Sequence, residues 1–133
     1  WSCECPHSER TDKAILAMFV QWRDDVVMLS VAANRNENIE ALKTAADARR
    51  LPTVLIDSLC FVADLYEAQT TPHVYVIDRA GMLRYRGAVD DMTFRKKIPT
   101  RFFLDEAVGS LLEGRLPTLT EAPAYGCTIV REV

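Results

Sequence analysis

The stretch "WSCECPHSER" (Trp1–Arg10) decides how the rest of the chain is read. It sets two cysteines one residue apart, follows the second with Pro6 and His7, and carries Ser8 where the second cysteine of a Cys-x-x-Cys pair would stand. Immediately downstream, Ile15, Met18, Phe19 and Trp22 fall at i, i+3, i+4 and i+7, with Glu9, Asp12 and Arg23 off that face. This spacing predicts an amphipathic helix over 8–24, with Pro6 suited to its first position and Cys5 at its start. A thiol is nucleophilic as its anion, and the free N–H groups and positive dipole end of a helix start favour that anion. His7 adds a neighbour whose charge would stabilise the thiolate further. The bland reading of Cys5 is a buried structural cysteine; its Cys-Pro-His setting favours a reactive thiol.

The bulk composition sets the frame for that site. A chain of 133 residues that is 49% apolar and 26% charged matches one ordinary globular domain. A net charge of -3 and a pI near 5.4, with no Lys/Arg stripe interleaved with aromatics, argue against nucleic acid as a partner. No apolar run approaches the roughly 18 residues that read as a bilayer span, so no membrane partner is expected. The N-terminus lacks the basic and apolar regions of a signal peptide; a cytoplasmic setting is the default reading, and an exported form stays open. Four cysteines, Cys3, Cys5, Cys60 and Cys127, are too few and too unevenly placed for a disulfide framework.

Further along, "VVMLSVA" (Val26–Ala32) predicts an interior strand covered on both faces, and Ile39–Arg49 a more exposed helix after the capping stretch "NRNEN". "TVLI" (Thr53–Ile56) reads as a short strand, and "SLCFVADLYEA" (Ser58–Ala68) as a short helix started by Ser58. "HVYVID" (His73–Asp78) and "MLRYRGAV" (Met82–Val89) form a hairpin around Arg79-Ala80-Gly81, where Gly81 supplies a positive φ. After a polar linker (Asp90–Arg101), Leu104, Ala107, Val108, Leu111 and Leu112 predict a last helix stopped by Gly114. The tail, about 115–133, contains Pro117, Pro123 and Gly126 and should run extended, with "CTIVREV" (Cys127–Val133) as an edge strand. Asp57, Asp78, Asp90 and Asp91 fall where turn and capping roles are the default. The order predicts an α/β fold, helices on both faces of a mixed sheet. A helix with a buried face normally follows a strand, yet only "WSCEC" precedes this one.

"CPHS" before an amphipathic helix, "TTPH" (Thr70–His73) opening a strand, and "VIDRAGMLRYRGAVDD" (Val76–Asp91) after it resemble the thioredoxin-like redoxin family. That group includes TlpA/ResA-like thiol-disulfide oxidoreductases and the alkyl hydroperoxide reductase/thiol-specific antioxidant proteins. The resemblance spans nearly the whole chain and implies a single three-layer thioredoxin-like domain over 1–133, a mixed central sheet flanked by helices. It also implies that the first, central strand is missing from this chain and is supplied upstream or by a neighbouring chain, through strand exchange or a homodimer. Cys5 matches the attacking cysteine, and Pro72 the cis-proline whose loop lies beside it, so the Thr71–Pro72 bond is expected to be cis. Trp1, like the aromatic before the family's active site, walls the site or belongs to the core.

The departure is Ser8. A mixed disulfide on Cys5 has no neighbouring thiol to release it, so Cys3, Cys127 or an external thiol must act. A Cys3–Cys5 bridge would close a small strained ring; Cys127 requires the tail to dock near the site, and otherwise is an inert edge-strand cysteine. Cys60, in an apolar run, reads as packing, and His73 either faces Cys5 or is structural. The expected function is thus thiol-disulfide exchange without a cofactor or metal, with protein or small-molecule thiols and disulfides as partners. One alternative is a thiol peroxidase acting on peroxide through a Cys5 sulfenic acid, in which Ser2 fits the Thr/Ser three residues before the reactive cysteine. Another is a non-catalytic binding module, or a copper or zinc carrier using Cys3, Cys5 and His7, although no fourth ligand has the expected spacing.

Overall fold

The computed structural model describes residues 1–132. They form a mixed α/β structure of two compact units, residues 1–72 with 126–132, and residues 73–125.

In the first unit, α1 (Pro6–Trp22) begins earlier than its apolar spacing alone indicates. Pro6 occupies the first turn, where its missing N–H costs nothing, and Cys5 becomes the N-cap with extended backbone. Ser8, Thr11, Asp12, Ile15 and Trp22 are buried along α1, so its inner face is more polar than the apolar periodicity suggests. A 3-10 turn (Arg23–Asp25) ends it. Strand β1 is limited to Ser30–Ala32 and pairs in parallel with β2 (Val54–Ile56), Val31 opposite Leu55. The interior strand expected over 26–32 is therefore corrected: Val27 is 83% and Leu29 57% exposed, and the pairing covers only the last three residues. An apolar, β-rich composition sets strand propensity but not coverage.

Helix α2 (Ile39–Ala48) starts at Asn38, whose side chain accepts from Ala41 N–H. Helix α3 spans only Phe61–Leu65. Ser58 does not start it, a second correction: the Asp57 carboxylate accepts from Ala63 N–H at 2.9 Å and the Asp57 carbonyl from Cys60 N–H, so Cys60 becomes the cap. Strand β3 (Thr70–Thr71) pairs antiparallel with β7 (Cys127–Thr128), which sets Thr71 opposite Cys127. The C-terminal edge strand thus forms, though over two residues; Val133 lies outside the described residues.

In the second unit, β4 (Val74–Ile77) and β5 (Leu83–Gly87) make the expected hairpin. Asp78 organises its turn, accepting from Ala80 and Met82 N–H and from Arg84 Nε, while Gly81 takes a φ of +80°. Strand β6 (Glu121–Ala122) adds to β5 in parallel, and α4 (Phe103–Leu112) contributes Ala107 to a core with Tyr85 and Ala122. In the 90–101 linker, Asp91 accepts from Lys96 Nζ at 2.6 Å and Thr100 N–H at 2.9 Å, and Asp90 from Met92 N–H, so both serve the loop.

The strands pair as sheets of two, two and three strands among the described residues, not as one mixed central sheet. Residues 1–5 form no strand: the chain bends at Cys3 and Glu4, and the Trp1 amine donates to Val31 O at 2.8 Å.

Candidate active site: a cysteine pair at the start of α1

Cys5 is 3% exposed, and its Sγ–H has the Thr71 carbonyl as acceptor at 3.0 Å. Its sulfur also lies 3.0 Å from Cys127 Sγ, both thiols being free. The antiparallel pairing of β3 with β7 produces this meeting, because Thr71 lies opposite Cys127 and Thr71 is the residue that Cys5 reaches. Burial pushes the Cys5 thiol up. Opposing it are hydrogen bonds from the Cys127 thiol and the Thr71 side chain and from the backbone N–H groups of Ser8 and Cys127, which together bring it down to about 7. Cys127 moves the other way, to about 11, through its hydrogen bond to Cys5, then burial, then the charge on Cys5. Of the two thiols Cys127 holds its proton more tightly, and Cys5 is the one that ionises first.

Ser8 is fully buried and its Oγ accepts from Ser2 N–H, so the residue in the resolving-cysteine position serves Cys5 through its backbone instead. Ser8, Thr71 and Cys127 donate to Cys5, and the His7 backbone carbonyl accepts from Thr11 Oγ at 2.9 Å. Pro6 supplies the first helical turn, and the Thr71–Pro72 bond is cis. Thr71 Oγ is buried without a partner of ordinary hydrogen-bond geometry; its link to Cys5 is to the ionised sulfur.

Cys3 faces Glu37 instead. Burial first, then a hydrogen bond to Glu37, pushes its thiol up to about 11, which makes it a poor nucleophile at neutral pH. Its carbonyl accepts from Arg49 Nη2 at 2.7 Å. Ser2 Oγ donates to Glu37 as well, so the hydroxyl that a peroxidase reading assigns to peroxide is engaged by a carboxylate. Trp1 donates through Nε1 to Asp12 at 2.9 Å, and Arg49 covers its ring at 5.6 Å while pairing with Asp12 at 3.1 Å. Asp12, Glu37 and Arg49 therefore hold the 1–5 segment. None stands in a local motif, and no signal in the sequence separates them from surface charges.

His73 belongs to the second unit, stacked on Tyr75 at 4.8 Å, its pKa lowered by burial and then by Arg86. Cys60 is packed as expected, its Sγ–H donating to Ala33 O at 3.0 Å. Among the described residues no three His, Cys, Asp or Glu side chains converge as metal ligands, so Cys3, Cys5 and His7 do not assemble the carrier site. No described helix is long and apolar enough to cross a membrane.

No family model and no curated protein matches the chain. Solved structures do. An uncharacterized conserved protein from Geobacillus kaustophilus is 26% identical with a TM-score of 0.86, the match covering 97% of this chain and 72% of that one. A hypothetical protein from Sinorhizobium meliloti 1021 is 25% identical with a TM-score of 0.87, over 99% and 76%. The chain is thus a mixed α/β protein whose architecture is similar to that of these solved structures, and neither of their names carries an activity.

Proposed function

We propose that this protein is a thioredoxin-like thiol-disulfide oxidoreductase in which Cys5 attacks and Cys127 resolves. The observation that carries the reading is the 3.0 Å approach of the two sulfurs, with Cys5 brought down to about 7 and Cys127 pushed up to about 11. A buried structural thiol has no need of several donors that favour its anion.

The Cys5 thiolate attacks one sulfur of a substrate R–S–S–R′. The Cys5–S–S–R bond forms, the substrate S–S bond breaks, and R′–S⁻ leaves and takes a proton from solvent. Two of the three influences that raise Cys127, its hydrogen bond to Cys5 and the Cys5 charge, then disappear, so Cys127 ionises more readily once Cys5 is in the mixed disulfide. The Cys127 thiolate attacks Cys5 Sγ and expels R–S⁻. The balance is two protein thiols oxidised to one disulfide and one substrate disulfide reduced to two thiols; an external dithiol reverses it. Ser8 in place of a cysteine fits this scheme, since the second thiol arrives from β7.

Mixing the reduced protein with glutathione disulfide tests the reading. Two equivalents of glutathione should be released per chain, and peptide mapping should find a Cys5–Cys127 disulfide, while Cys127→Ser should stop at one equivalent with glutathione on Cys5. Absence of any Cys5 adduct would overturn the proposal. Cys5-dependent consumption of hydrogen peroxide much faster than disulfide exchange would replace it with the peroxidase reading.

A further inference from the structure

The Thr71 carbonyl is the acceptor for Cys5 Sγ–H at 3.0 Å, and Thr71 is the residue opposite Cys127. It is also where Gly126 comes closest to β3: a Cβ built on Gly126 would lie 2.0 Å from Thr71 O, 2.7 Å from Thr71 C and 3.2 Å from Pro72 N. No side chain fits at such distances, and the atoms in the way are backbone that has no rotamer to change. A glycine within an extended segment commonly marks a close backbone approach. Here that approach occurs one residue before the resolving thiol. The rest of the strand is anchored further on, by Ile129 N–H to Gln69 O, Val130 N–H to Asn34 Oδ1 at 2.7 Å and Arg35 N–H to Val130 O.

We infer that Gly126 is a positioning residue for the second exchange step: its missing side chain lets β7 seat against Thr71, so that Cys127 Sγ reaches Cys5 Sγ. The inference rests on the thiol-exchange reading above and assigns to it a determinant that is neither of the two thiols. A Cβ at position 126 pushes β7 outward from β3, and the displacement falls directly on Cys127. In-line attack on a sulfur depends steeply on placement, and a misplacement of about 1 Å can cost about 100-fold in rate. The first step slows as far as the Cys5 thiolate loses the Cys127 donors, but Cys5 keeps its place at the start of α1 and the Ser8 N–H, and release from a preformed adduct reads the second step by itself.

The experiment separates the two steps in Gly126→Ala. The reduced protein is converted to the Cys5–glutathione adduct with glutathione disulfide, and release of the bound glutathione is followed by intact mass. The wild type should pass quickly to the Cys5–Cys127 disulfide, whereas Gly126→Ala should accumulate the adduct and release it about 100-fold more slowly. Added dithiothreitol should free the adduct equally fast in both, which a generally collapsed site would not allow. Gly109→Ala, where an added Cβ meets nothing within 4 Å, should behave as wild type. Should Gly126→Ala fail to fold, Asn34→Ala loosens the same strand without a clash and must show the same split between steps. Resolution in the folded Gly126→Ala protein within a few-fold of wild type, or in Asn34→Ala if that variant has to stand in, overturns the assignment alone. A wild type that never forms the Cys5–Cys127 disulfide overturns both this inference and the reading beneath it.

Discussion

Cys5 and Cys60 make a natural experiment within one chain. Each is the N-cap of a helix, each is almost fully buried at 3% and 2% exposure, and each has a backbone carbonyl 3.0 Å from its sulfur, Thr71 O and Ala33 O. Yet Cys5 is brought down to about 7, while Cys60 is pushed up by burial and by the nearby Asp57 and Asp64, with only partial relief from Arg131 and Arg35. Position at a helix start is therefore insufficient to activate a thiol. Burial works against both anions; what separates them is the set of donors at Cys5, the Ser8 and Cys127 N–H groups and the Cys127 and Thr71 side chains. Helix length adds to the contrast, because α1 runs 17 residues and α3 only 5.

The sharpest way to break the comparison is to remove each sulfur in turn. Cys5→Ser should reduce glutathione release from glutathione disulfide to the uncatalysed background. Cys60→Ala should retain the wild-type rate and instead lower stability by about 1 kcal/mol in urea unfolding. Equal losses of activity would place Cys60 in the chemistry and erase the distinction.

A smaller effect is expected from Cys127→Ala. It removes the thiol that donates to Cys5 and puts no other side-chain donor in its place, so the Cys5 pKa should rise toward the ordinary thiol range. For a group titrating above the working pH, each unit of rise costs about tenfold in thiolate. Iodoacetamide labelling of Cys5 at neutral pH should slow accordingly, with labelling of Cys60 unchanged. An unaltered Cys5 rate would show that the helix start alone sets its reactivity.

The smallest effect belongs to Thr71→Val. The hydroxyl it removes is buried without a partner of ordinary geometry, so stability should change by less than about 1 kcal/mol, while Cys5 labelling slows slightly. A large loss of stability would mean that Thr71 Oγ is bonded in a way its surroundings do not indicate.

Local features of the fold were legible in the residues. The apolar spacing from Ile15 to Trp22 and the position of Pro6 indicate α1, and Gly81 with Asp78 indicates the hairpin turn. Cys5 and the Thr71–Pro72 loop were readable for the same reason, since their signals lie within a few residues. Pairings distant in sequence were not. That Thr71 faces Cys127, and that Gly126 lies against the Thr71 carbonyl, depends on where the tail docks, and neither residue announces the other. Likewise, the apolar residues Val27 and Leu29 read as covered but are exposed, because composition reports propensity and not neighbours. The polar scaffold of Asp12, Arg49 and Glu37 stayed hidden because charges on helices and loops look alike until their partners are known.

The most direct test of the account is the pH dependence of Cys5 modification by iodoacetamide, read by peptide mapping in wild type and Cys127→Ala. The folded pKa of Cys5 lies below that of an ordinary thiol, so the rate should rise with pH to a midpoint near 7 and then level off, and Cys127→Ala should move that midpoint upward. A Cys5 midpoint in the ordinary thiol range, about 8.5, unchanged by Cys127→Ala, would contradict the claim that Cys127 helps hold Cys5 as the nucleophilic thiolate.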